Sequence, residues 1–144
     1  MFQPSNGVST AAAVASTADL AIASGRLVVF NTDDGSITSY DHANADPMVI
    51  RAAGTGVIAQ IDFATRSQTG APDIGVWSLR TLTLPDANAW VGFRGARVAA
   101  VIAAGPITVH GWIDVSGGQD LAGATCTSCP GAGGGPGGTL AAAA

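Results

Sequence analysis

Cys126 and Cys129 stand two residues apart, as C-x-x-C. That spacing serves half of a zinc site, a redox couple or a local disulfide. Zinc needs two further ligands. His42 and His110, the only histidines, stand at no matching spacing. A redox pair uses a helix N-terminus to lower its thiol pKa, but Pro130 and a run of glycines follow here. In an exported protein the simplest reading of Cys126 and Cys129 is a small structural disulfide, with unpaired thiols as the alternative.

Asn31-Thr-Asp-Asp-Gly35 places Asp33 and Asp34 beside a glycine, as a calcium loop does. The later bidentate acid of such loops is missing, and the chain has no Glu. A hairpin turn is the stronger reading, with Asp33 and Asp34 weak calcium candidates. His42 follows Asp41 close to Ser39, which invites a hydrolase reading. Sequence neighbours do not make a triad, and no Gly-x-Ser-x-Gly elbow is present. This segment reads as a polar loop, and no catalytic residue is assigned. Trp77, Trp90 and Trp112 could stack on sugar rings, although aromatic packing in a core uses the same residues. Asp114 alternates with Ile113 and Val115 and is expected to point outward. The glycines of 131–138 come with no Lys and lead into no helix, so they are not a nucleotide loop. No cofactor or metal is expected.

The elements that must hold these residues are short strands. All six basic residues are Arg, all ten acids are Asp, and Lys and Glu are absent. The charged residues that best favour helix surfaces are therefore nearly missing. Val, Ile, Thr, Gly and Asp are prominent, which favours strands and turns. Strands are predicted at 26–30, 36–40, 48–51 and 57–63, with 64–73 as a polar link. Residues 11–24 read as a short helix, a loop or a weak strand. From Ile74 to Gly118 the apolar runs repeat: Leu82 matches Ile107 and Leu84 matches Val109, both at an offset of 25 residues. Gly56 to Phe63 reads as a looser copy of the run at Gly75. A period of roughly 20–30 residues with several strands per repeat predicts a solenoid. Three regions follow: a lead-in or cap at 1–25, coils at 26–118, and a glycine-rich flexible segment at 119–144. The abrupt start and end read as parts of a longer chain.

A net charge of −4 with dispersed arginines excludes a nucleic-acid partner. No stretch reaches the roughly 18 apolar residues of a membrane span. The Ala-rich 11–23 follows no basic segment, so it is a poor signal peptide.

Phe2-Gln-Pro-Ser-Asn, Val29 to Ile37, Pro72 to Trp77 and Ile107 to Gly118, together with the Cys- and Gly-rich loop, carry a resemblance. The chain resembles uncharacterised glycine-rich bacterial exported and surface proteins. The resemblance implies an all-β fold, a right-handed parallel β-helix, with a signal and a lipidated Cys upstream of Phe2. It supplies no catalytic residues. The expectation is a non-enzymatic structural module, extracellular or on the outer cell surface. The alternative is a β-helix that binds or cleaves polysaccharide, with cell-surface polysaccharide as its partner.

Overall fold

A computed structural model describes residues 16–41, 43 and 45–115. They form twelve strands: β1 (Asp19–Ala21), β2 (Arg26–Asn31), β3 (Ile37–Asp41), β4 (Met48–Arg51), β5 (Gly56–Ile58), β6 (Ile61–Gln68), β7 (Ala71–Leu79), β8 (Thr81–Leu84), β9 (Trp90–Arg94), β10 (Val98–Ala103), β11 (Ile107–Val109) and β12 (Trp112–Asp114). Three sheets result, in the orders β1-β8-β11, β10-β7-β6-β5 and β12-β9-β2-β3-β4.

The expected parallel β-helix is corrected by this topology. The sheets are small and open, and two of the three mix parallel with antiparallel pairs. Five of the nine strand pairings are parallel and four antiparallel. The parallel pairs include the two matches at an offset of 25, since Ile107 lies opposite Leu82 and Val109 opposite Leu84. What breaks the solenoid is turn chemistry. The chain reverses at Asn31–Ser36, so β3 runs back along β2. It reverses again at Ala59-Gln60, where both residues have positive φ, of 49° and 64°. Such a two-residue turn has the hand that matches the twist of a hairpin. The single strand expected at 57–63 is therefore two antiparallel strands, β5 and β6. Gly56 to Phe63 is not a copy of the Gly75 run. Nor is 64–73 a link: β6 continues to Gln68 and β7 begins at Ala71, antiparallel to it. β1 falls in the stretch read as helix, loop or weak strand, and it pairs with β8.

Side chains from all three sheets share one core. Strand alternation sends Val28 and Phe30 from β2, Trp77 and Leu79 from β7, and Leu82 and Leu84 from β8 into it. Trp77 stands at its centre, edge-on to Phe30 at 5.2 Å and tilted on Phe63 at 4.9 Å. Each aromatic pair adds about 0.5–1.5 kcal/mol beyond its burial. Ile74 and Val76 belong to a separate cluster with Val98, Ala100 and Ile102. The alternation of β7 puts that cluster on the opposite face of the sheet.

One polar knot lies within the core. Arg51 is fully buried. Its guanidinium donates to the carbonyls of Gly35, Gly56, Ile61 and Ala52, and it lies over the Phe63 ring. The Gly35 carbonyl also accepts the Trp77 indole N–H at 3.0 Å. Gly35 has φ +76°, and a Cβ there would fall 2.3 Å from the Phe63 ring. The β2–β3 turn is thus seated on the core by a residue that only glycine suits.

Candidate functional site

The Asn31–Gly35 turn is a hairpin turn tied to the β9–β10 loop. The Asp33 carboxylate accepts the Ala96 N–H at 2.9 Å and lies 3.6 Å from Arg97. Arg97 also donates to the carbonyls of Thr32 and Asp33. The Asp34 carboxylate accepts the Ser36 N–H at 2.8 Å. Both carboxylates therefore serve the turn. Among the described residues no three His, Cys, Asp or Glu side chains gather as a metal site would require.

Ser39 and Asp41 are likewise engaged. The Ser39 hydroxyl accepts from Arg26, and Asp41 accepts the N–H groups of Ala43 and Ala45. His42 lies outside the described residues. So do Cys126, Cys129 and the glycine-rich segment 119–144. His110 is exposed between β11 and β12, remote in sequence from both Ser39 and Asp41.

The three tryptophans separate into one buried residue and a surface pair. Trp77 is enclosed in the core, where no ligand reaches it. Trp112 lies opposite Trp90 in the β12–β9 register, and their rings stack at 5.7 Å with 27° between planes. Trp112 remains 58% exposed. It shares its face of β12 with Asp114, opposite the face carrying Ile113.

A further feature is an open end of the molecule among the described residues, where the run of apolar strands read from the sequence stops after Val115. β10, β11 and β12 are the last strands of their three sheets. Inward ladders that are sealed one strand earlier lie open here. Leu82 is 4% exposed, but Ile107 opposite it is 49%; Val91 is 1%, but Ile113 is 47%. Backbone groups are open as well. Leu82 donates to the Pro106 carbonyl and His110 to that of Leu84. This pattern turns Thr108 toward β8 and leaves the N–H and C=O of Ile107 and Val109 facing away. Among the described residues no strand pairs with that side.

Asp19, Arg80 and Arg51 are tied into the fold. On the surface Arg80 forks onto Asp19, which also accepts the Thr81 hydroxyl. Arg80's hydrogen bond, with that of Thr81, holds the Asp19 carboxyl below the usual carboxylate range. Burial pushes the Arg51 guanidinium pKa down, while Asp62 and Asp34 act in the opposite direction. No helix among the described residues is long and apolar enough to cross a membrane.

No protein-family model, curated protein or solved structure matches this chain. The likeness to glycine-rich exported proteins rests on the residues quoted for it.

Proposed function

We propose that this protein is a non-enzymatic structural module that acts by offering strand edges to another polypeptide. The observation that carries this reading is the open end formed by β10, β11 and β12. Three edges finish together there, with Ile107, Val109, Trp112, Ile113 and Val115 exposed. Unpaired strand edges bind other chains by main-chain hydrogen bonds. Soluble proteins usually blunt them with Lys, Pro or charge, yet the three strands contain only Asp114. Together with the resemblance to exported proteins, this reading puts the module outside the cell or on its surface.

The stacked Trp90 and Trp112 favour a second reading, carbohydrate binding. An exposed indole held flat by a second ring is a platform for the apolar face of a sugar. A glycan-binding screen on wild type and Trp112→Ala separates the two. The structural reading expects no glycan retained by wild type. Glycan binding that Trp112→Ala abolishes sinks that reading and establishes the second.

A further inference from the structure

We infer that the open end is closed by a second copy of this chain, joined about a two-fold axis that passes beside Thr108. The inference rests on the structural reading above and names the partner.

The backbone pattern of β11 supplies the first argument. Ile107 and Val109 direct their N–H and C=O groups away from β8. A two-fold at Thr108 sets β11 antiparallel to its own copy. Ile107 then faces Val109 of the second copy. Two such residues exchange both hydrogen bonds of an antiparallel pair, and symmetry repeats the exchange on the other side of the axis. An axis that reverses β11 onto itself also exchanges the strands on either side of it. β10 is thereby brought beside the second copy's β12.

The extent and charge of the face agree. Residues 98–115 come close to the roughly 20–30 residues a side of a standard interface. Five of the eight exposed large apolar side chains among the described residues lie within this span. Asp114 is its only acid or base apart from His110, so two copies meet without a row of like charge.

The rest of the molecule argues against a head-to-tail stack. The corresponding edges at the far side are diverted into antiparallel hairpins. β4 continues β3 and β5 continues β6, so only β1 remains as an edge of parallel strands. The far side also ends in three edges, β1, β5 and β4, with Met48, Val49 and Val57 exposed. A head-to-tail stack would continue parallel pairing only at β1, whereas the two-fold engages β10, β11 and β12 together.

Light scattering after size exclusion, across a dilution series of the 144-residue chain, tests this. A dimer that dissociates on dilution is expected. Val109→Pro removes a free edge N–H without touching a bond to β8, and is expected to raise the dimer dissociation constant by about tenfold or more. Thr108→Cys keeps the edge intact and places two introduced thiols across the axis. Oxidation is expected to link two copies at position 108, as mapped by peptide digestion. A chain that stays monomeric at every concentration overturns the inference, and so does an open ladder of oligomers. A monomer in which the Ile107 and Val109 amides are protected from exchange also overturns it, because the edge is then covered within one chain. A dimer that Thr108→Cys fails to link is joined elsewhere and counts against it equally. Of these failures only the protected monomer also removes the open edge on which the structural reading rests. The others leave that reading standing, and glycan binding would sink it in either oligomeric state.

Discussion

A guanidinium cut off from solvent must find its hydrogen bonds within the protein, and Arg51 finds four carbonyl acceptors. They come from the β2–β3 turn, the residue after β4, and the first residues of β5 and β6, so one side chain ties the β2–β3 turn to the β5–β6 hairpin of a different sheet. Asp62 and Asp34 lie close enough to favour its charge. Replacing Arg51 by Met keeps the bulk and strips the donors. A carbonyl left without a donor out of reach of water costs on the order of 1–3 kcal/mol, and the Gly35 carbonyl keeps the Trp77 indole N–H. Part of that loss is recovered, because a desolvated charge disappears with the donors. The expected net loss for Arg51→Met is about 2–4 kcal/mol. It would be read as a lower urea midpoint at unchanged slope. Arg51→Lys keeps the charge but loses the planar fork, and should fall between the two. A Met variant as stable as wild type would show that the knot is dispensable. Nothing in the sequence marks this residue. It follows Met48-Val-Ile, where alternation says only that neighbours face opposite ways, and an arginine is expected on the wet side. What made Arg51 central was the set of carbonyls delivered by the β2–β3 turn and the β5–β6 hairpin.

At the level of strands and turns, the sequence was legible wherever turn residues announced themselves. Asp34-Gly35 marks the β2–β3 hairpin, and the match of Leu82 with Ile107 marks true neighbours. It was illegible at Ala59-Gln60, because neither residue favours positive φ and the apolar run continues straight through. It was illegible again at β6, whose Thr65, Arg66 and Ser67 are exposed and read as a polar link. These two hairpins turn a periodic pattern into mixed sheets. The candidate site was legible to a smaller degree. Trp90 and Trp112 stand 22 residues apart, close to the repeat of 25, whereas burial of Trp77 depended on Phe30 and Phe63 converging from other strands. The same turn is open to test. An L-residue in the left-handed region costs about 1–2 kcal/mol. Glycine avoids that cost but brings more chain entropy to the unfolded state, about 0.5–1 kcal/mol. Ala59 has only a methyl group to lose and is exposed. Ala59→Gly should therefore stabilise the protein by about 0.5–1 kcal/mol, the reverse of the usual effect of glycine in a sheet. Thermal unfolding checks this, and a lower melting temperature would mean the turn does not hold this conformation.

Across the whole molecule, stability should fall from the sealed levels toward the open one. The hydrogen bonds themselves do not predict this. The Ile22 N–H reaches the Thr83 carbonyl at 2.9 Å and the Thr32 N–H reaches that of Arg94 at 2.8 Å. At the open level the His110 N–H reaches Leu84 at 2.9 Å and the Trp112 N–H reaches Ala89 at 3.0 Å. The lengths are nearly equal, but the surroundings are not. Ile22 and Thr32 are buried, whereas His110 and Trp112 sit beside ladders that end in exposed Ile107 and Ile113. Exchange requires an opening that brings the amide to water, and its free energy follows the apolar contacts that the opening breaks. In hydrogen exchange on dilute, monomeric protein, the amides of Ile22 and Thr32 should exchange near the rate set by global unfolding. Those of His110 and Trp112 should exchange through local openings, at least about tenfold faster. Raising the concentration should slow only the second pair, because a second copy covers the open level and leaves the sealed one unchanged. Equal protection of both pairs in the dilute monomer would mean that the three sheets open as one unit, and the end formed by β10, β11 and β12 would then be as firmly held as the core.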